Sequence, residues 1–495
     1  MNSNRIKAVL LSYLLLLSGD MFAQSPGGIG NQLVWVKGNF SSGTDQLSKL
    51  NFNPATNFDN CTAVFKIPRS VETRKRITVF TVYQDQNTND EKKIWDMTGD
   101  QENISLSTHQ VLNNDIKSNI FFAKNNSGYY EAANPEAIIN TYLSRRKLWR
   151  ASENSGDEKN WIRFGNPNLS GLNKISSGMV AEFILYEKIL NEEEIAKVET
   201  YLALKYGITL QKNYLNASGK TVWNWQNDKA YSNNIAGIAR DDRSSLYQKQ
   251  ATGYNNSERL VIGVNAIAGS NSESTGQINN GDYLVWGDNA QFPMINITGE
   301  ERDDKILLSG KKWLMRSSGG TAGTVSTQLK IDTKAFYLGD IQKKDFYLVI
   351  DRSGSDNFAG RNYLYILPDS ISADGIAVFN NLLWDTDRSG KDCFTFGFRS
   401  RESNLSKNKD TAGVLSFQVF PNPVSDGHYK IAVTLNKPVN VTVLVYDMNR
   451  QLIDTKKGAG SASYFFSGYI NAAAGAYTVK LVTPEAELSR IIILQ

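Results

Sequence analysis

Apolar and polar positions alternate with a period of two along most of this chain, in short runs separated by Asn, Asp, Ser and Gly. Residues 77–83 (Ile-Thr-Val-Phe-Thr-Val-Tyr) and 61–67 are β-branched and aromatic runs bounded by polar turns, the pattern of sandwich strands. Shorter candidates lie at 120–123, 148–151, 161–165 and 179–186. Others follow at 222–225, 234–242, 260–263 and 282–288, then at 312–316, 325–331, 346–351 and 393–398. Near the end, Tyr429, Ile431, Val433 and Leu435 alternate with Lys430, Ala432 and Thr434, and Val439, Val441, Val443 and Val445 repeat the alternation. Tyr477, Val479 and Leu481 continue it, and 491–494 closes the chain with an apolar run. One apolar face per strand predicts an all-β, multidomain protein ending in a small antiparallel β-sandwich.

A single segment has helical spacing. Asn191 stands where an N-cap belongs, with Glu194 three residues on to complete a capping box. Glu192, Glu193 and Glu194 face the positive end of the helix dipole, Ile195, Val198, Tyr201 and Leu202 share a face, and Gly207 falls at a left-handed C-terminal cap. This helix is expected to lay its apolar face on a β-sandwich.

Residues 178–186 (Gly-Met-Val-Ala-Glu-Phe-Ile-Leu-Tyr), the helix, and its end from Tyr201 to Leu210 (Tyr-Leu-Ala-Leu-Lys-Tyr-Gly-Ile-Thr-Leu) resemble the closing strand and helix of laminin-G-like, concanavalin A-like jelly rolls. The resemblance implies a jelly roll over 24–212. The text then changes, and β modules are expected at 213–300 and 301–400, the first of no known function and the second sandwich-like. Residues 401–412 are polar and aperiodic and read as a linker. From 413 to 495 the wording resembles the C-terminal type A sorting domain of the type IX secretion system. The matching pieces are 419–424 (Val-Phe-Pro-Asn-Pro-Val) with Gly427, 443–447 (Val-Leu-Val-Tyr-Asp), 475–479 (Gly-Ala-Tyr-Thr-Val) and the terminal Arg490-Ile-Ile-Ile-Leu-Gln. Asn449 and Arg450 depart from the usual glycine after the Tyr-Asp turn, and Arg490 replaces the commoner lysine. The resemblance implies the secretion machinery as a partner and a final location at the cell surface or outside the cell.

The N-terminus agrees with export. Arg5 and Lys7 precede an apolar run from Ala8 to Leu17, followed by a possible cleavage after Ala23, with Met21 larger than usual at the minus-three position. Residues 1–23 are thus a predicted signal peptide, too short in its apolar part to span a bilayer, and no later stretch is a transmembrane span. At 495 residues the chain has room for several domains. Its 54 basic and 50 acidic residues leave a net charge of +4, no general reason to bind nucleic acid. Only two cysteines, Cys61 and Cys393, and two histidines, His109 and His428, are present, which removes a disulfide framework, a cysteine zinc site and a multi-histidine centre.

Chemistry is sparse. A glycoside hydrolase on this fold needs paired carboxylates, about 5–5.5 Å apart if retaining, and alternate positions on a strand would supply them. Glu182 stands alone on its strand, and the Glu192–Glu194 run is a helix start. Trp95, Trp149 and Trp161, among Asn-rich loops, are candidates either for a sugar platform or for core. The best cation candidate is Asp385, Asp387, Ser389 and Asp392 with Gly390, half of a calcium loop; the twelfth position is Phe396, so an EF-hand is excluded, and an Asp/Gly turn is the competing reading. Calcium is the only cofactor suggested. Residues 351–356 (Asp-Arg-Ser-Gly-Ser-Asp) are a weaker example. The function expected is glycan or protein binding in adhesion through the jelly roll; a polysaccharide hydrolase and a structural surface component are the alternatives.

Overall fold

A computed structural model describes residues 24–494 except 41–46, 59–61, 68–75, 86–92, 99–102, 108–109, 114–115, 120–136, 145–160, 166–177, 254–257, 292, 294, 297–305, 337–341, 357, 359–362, 400–412, 421–423, 425–426 and 448. The expected signal peptide, the linker, the strands at 120–123 and 148–151, Trp149, Cys61 and His109 lie outside the described residues. The fold is all-β and multidomain, with Glu192–Tyr206 the one α-helix among the described residues.

The first region is a pair of antiparallel sheets. One contains, in order, Ala137–Ser144, Ile77–Asp85, Gly178–Tyr186, Asn53–Asn57 and Leu47–Leu50, with Gln32–Lys37 also paired to Gly178–Tyr186. The other runs Ala63–Lys66, Trp161–Phe164, Lys93–Thr98, Asn103–Ser107, Gln110–Asn113 and Ile116–Asn119. Val79, Tyr83, Trp95, Met97, Ile162, Phe164 and Phe183 fill the space between them.

Strand Gly178–Tyr186 is buried on both faces, which is why it reads as an unbroken apolar run. Its pairing steps from Val180–Tyr83 to Glu182–Val82, so Ala181 is an extra residue in a bulge. The bulge breaks the alternation: Val180, Phe183 and Leu185 join the inner core, while Ala181, Ile184 and Tyr186 join the core under the helix. Glu182 is thereby aimed at the helix as well.

The helix begins as its sequence predicts. Asn191 Oδ1 accepts from Glu194 N at 2.9 Å, Glu194 Oε2 accepts from Asn191 N at 2.9 Å, and Gly207 ends the helix at φ 67°. Its last turns, however, are buried nearly all round. Tyr201, Leu202, Leu204 and Tyr206 share one core with Ile184 of the first region and with Ile235, Ala239, Leu246 and Val285 of the next. The helix is a wall common to two sandwiches rather than a lid on one.

The boundary expected at 300/301 does not separate two modules. An eight-stranded sheet carries Leu246–Gln248, Asn233–Asp241, Tyr283–Asp288, Ile306–Ser318, Lys391–Arg399, Phe346–Asp351 and Tyr363–Ile366 in order, with Ile295–Asn296 paired to Ile306–Ser318. A five-stranded sheet carries Gln250–Thr252, Val261–Val264, Thr327–Asp332, Ile376–Leu382 and Ser370–Ile371. Both sheets draw strands from either side of residue 300, around one core that includes Leu284, Trp286, Trp313, Leu329, Phe346, Phe379 and Phe396. Neither half can bury its apolar faces without the other.

The last region is a five-stranded antiparallel sheet built on the long strand His428–Tyr446. Its first half pairs with Val414–Phe420 and its second half with Gly475–Val482, while Leu452–Tyr469 follows it along most of its length. Glu487–Leu494 completes the sheet, and a bridge from Val424 to Leu494 ties its start to its end. Tyr429, Ile431, Val443, Tyr477, Val479 and Ile492 form its own core.

Candidate functional site

The expected cation loop begins at an anchor. Trp384 is fully buried in the middle core and donates from Nε1 to Thr327 Oγ1 at 2.9 Å. Asp385 then adopts φ 52°, and its Oδ1 accepts from Gly390 N at 2.7 Å. Asp392 lies on the following strand, fully buried, where Oδ2 accepts from Asp385 N and from Arg352 Nη1, both at 2.6 Å. Asp392 Oδ1 has no hydrogen-bond partner. Burial pushes the Asp392 carboxyl up to about 6, against the opposing pull of the Asp385 amide and the Arg352 guanidinium. Asp387 is exposed at the tip, accepting from Ser389 N at 3.1 Å, and Ser389 Oγ donates to Lys391 O at 2.9 Å.

The structure therefore brings Asp385 and Asp392 together and leaves Asp387 outside. Among the described residues, no group of three or more His, Cys, Asp or Glu side chains converges as a cation site. The 351–356 segment is also a locked turn: Asp351 Oδ1 accepts from Ser353 N at 3.0 Å, and Asp356 pairs with Lys312 Nζ at 2.5 Å.

That loop forms one wall of a polar cleft enclosing about 820 Å³, whose other walls are the 220–228 segment and the 316–324 turn. Asp228 accepts a two-pronged contact from Arg316, with Nε–Oδ2 at 3.0 Å and Nη2 against Oδ1. Asn224 shapes its own turn, accepting from Gln226 N at 3.1 Å and Asn227 N at 3.0 Å through Oδ1. Thr321 is fixed by Asp282 Oδ1, which accepts from Thr321 N at 3.0 Å. Ser317 N donates to Gly390 O at 3.0 Å and ties the two walls together. Arg388, exposed on the rim at φ 59°, forms no ion pair with an acid among the described residues. The lining thus offers amide, hydroxyl and guanidinium groups on a pre-shaped surface, with both lining carboxylates, Asp228 and Asp385, already accepting from protein donors. Its parts are up to about a hundred and seventy positions apart, and no local pattern in the sequence pointed to Asn224, Arg316, Thr321 or Arg388.

Glu182, weighed above as a solitary strand carboxylate, is 1% exposed and saturated with donors. Oε1 accepts from Trp35 Nε1 at 2.6 Å and Tyr201 OH at 2.8 Å, and Oε2 from Lys205 Nζ at 2.6 Å and Tyr206 OH at 2.8 Å. Burial, then Glu182, holds the Tyr201 and Tyr206 hydroxyls well above the ordinary tyrosine range. Lys37 sits 3.5 Å over the Trp35 ring, and partial burial followed by the nearby Lys205 charge pushes its amine down to about 8. Glu182 acts here as a fastener between sheet and helix. Trp95 is core, fully buried and donating to Thr81 Oγ1 at 2.9 Å, while Trp161 is half-buried beneath Lys66.

A family model described as a domain of unknown function, DUF8202, matches residues 194–387, from the first turn of the helix to the tip of the cleft loop. The match runs across residue 300, as both middle sheets do. Among solved structures, the chain is similar to the Parabacteroides merdae β-glucuronidase with glycerol in its active site, at 11% identity over 34% of this chain and 28% of that one, TM-score 0.14. It is also similar to the BSP domain of a biofilm-associated protein, at 11% identity over 92% and 68% of the two chains, TM-score 0.16. A third is a botulinum neurotoxin type C structure concerning interaction with two ganglioside molecules, at 10% identity over 94% and 92%, TM-score 0.23. The chain spans little more than a quarter of the glucuronidase it matches. No curated protein matches the sequence.

Proposed function

We propose that this protein is exported to the cell surface or beyond, and that the cleft of its middle sandwich binds a hydroxyl-rich, acidic ligand of the carboxylated-glycan class. The observation that carries the reading is the cleft itself: about 820 Å³ lined by Asn224, Asn227, Thr321 and the Arg316–Asp228 pair, with Arg388 on its rim. Amides and hydroxyls match sugar hydroxyls, and a guanidinium matches a carboxylate. On this reading binding belongs to the middle sandwich rather than to the first region, where Trp95 serves as core. Export is supported by the ordered C-terminal motifs and by a last region with its own core.

A glycan array with the full chain tests the binding reading. Acidic glycans should be retained, and Arg388→Glu and Asn227→Ala should abolish retention while leaving the melting temperature in place. Retention that ignores both substitutions, or none on any acidic glycan, refutes the cleft. Cell fractionation tests export: deletion of 413–495 should trap the protein in the periplasm, and unchanged surface exposure refutes it.

A further inference from the structure

Inside the middle sandwich, away from the cleft, an ammonium and two carboxyls meet in the core. Lys311, Glu258 and Asp288 are each 1% exposed. The pairing of Ile306–Ser318 with Lys391–Arg399 is irregular between Leu308 and Lys312, and within that stretch Lys311 shares the inward face of Trp313, with Nζ 5.6 Å from that ring. Asp288 ends the neighbouring strand on the face of Leu284 and Trp286. Glu258 enters from the loop before Val261–Val264, its carbonyl accepting from Asp332 N at 2.8 Å. Lys311 Nζ lies 3.2 Å from Asp288 Oδ2 and in direct ion-pair contact with Glu258 Oε1, which has no conventional hydrogen-bond donor. Asp288 is held on both oxygens: Oδ2 accepts from Asn234 Nδ2 at 2.8 Å and Oδ1 from Ala290 N at 2.7 Å.

Burying three ionisable groups is costly, and one cation cannot neutralise two carboxylates. Neutrality of the cluster therefore needs one proton from solvent, and the carboxyl that takes it up becomes an electrophile. We propose that Lys311 and Asp288 condense to an intramolecular amide bond, with Glu258 as the proton carrier. The Lys311 ammonium passes a proton to Glu258, and the freed amine attacks Cγ of protonated Asp288. The Ala290 N–H holds the negative charge that develops on Oδ1, and the Asn234 amide positions Oδ2, the oxygen that leaves. Nitrogen then loses a second proton and Oδ2 departs as water. One C–N bond forms, one C–O bond breaks, one proton remains on Glu258, and nothing is oxidised or reduced. The reactants are held together by the fold, so no activated intermediate is needed to overcome the entropy of encounter. The bond would staple two adjacent strands of the eight-stranded sheet.

Intact-mass measurement and tryptic mapping of the full chain test this. The expected mass is below the sequence mass by one water, and the expected map contains a branched peptide joining Lys311 to Asp288, uncut after Lys311. Glu258→Gln, with its far-UV circular dichroism unchanged, should retain the full mass. A parent protein with unlinked Lys311 and Asp288 peptides overturns the proposal, whatever the variant does. A branch from Lys311 to Glu258 overturns the choice of acceptor, and a linked Glu258→Gln protein overturns the proton carrier.

Discussion

Lys205 Nζ lies 2.6 Å from Glu182 Oε2, so the helix is pinned to the sheet through a carboxylate that water does not reach. Removing the carboxylate leaves an ammonium, two phenols and an indole without their acceptor. Glu182→Ala is expected to destabilise the protein by about 3–5 kcal/mol, and Glu182→Gln by less because it retains one acceptor oxygen. Urea denaturation of the three proteins measures the order.

The reciprocal bonds between Asn191 and Glu194 satisfy two helix-end amides. Asn191→Ala should cost about 1 kcal/mol, and Asn191→Ser much less, since serine also caps. Thermal unfolding of the pair distinguishes loss of the cap from a general effect at the site.

Asp392 makes stability depend on pH. Burial raises its folded-state value from 3.8 to about 6, so the folded chain holds this proton more tightly than the unfolded chain. The group is cost-free below 3.8; as pH rises from there to about 6 it removes stability, to a limit of about 3 kcal/mol, and its effect is constant above. The stability difference between parent and Asp392→Asn should shift by that amount across this window and stay level on either side. Equilibrium denaturation at a series of pH values measures it.

The same geometry bears on calcium. Asp385 Oδ1 already receives the Gly390 amide, and the Arg352 guanidinium occupies Asp392. A cation would have to share these carboxylates with a bound amide and settle beside a positive charge. Millimolar calcium, the range that suits extracellular modules, is expected to leave the calorimetric melt unshifted. A calcium-dependent rise that disappears in Asp385→Ala would instead seat the ion there.

The two middle sheets, each completed by strands from both sides of residue 300, predict how fragments behave. Residues 213–300 and 301–400 expressed separately should show no cooperative melt, because each holds only one end of both sheets. Residues 24–399 should melt cooperatively. Circular dichroism on the three fragments decides it.

Strand identity was largely legible in the sequence. Residues 346–351 form the strand Phe346–Asp351 as expected, and those at 77–83 and 234–242 differ from Ile77–Asp85 and Asn233–Asp241 only at their ends. Leu452–Tyr469 was not seen, because it is a largely solvent-facing strand with Gly458, Gly460 and several serines and so lacks an apolar period. Of the candidate site, the Asp385–Gly390 turn was recognisable from its own residues. The cleft around it was not, since Asn224, Arg316 and Arg388 share no spacing.

By itself the sequence determined what depends on neighbours a few positions away: the two-residue period of the strands, the Asn191 cap, the left-handed Gly207 and the turn at Gly390. Only the tertiary structure decided which strands share a sheet across residue 300, that a bulge at Ala181 aims Glu182 at the helix, and that Glu258 and Asp288 converge on Lys311. The physical reason is that an apolar strand face is satisfied by any complementary face, so its partner is chosen by the packing of the whole core. A buried charge, in contrast, is tolerated only where distant residues happen to be carried to it.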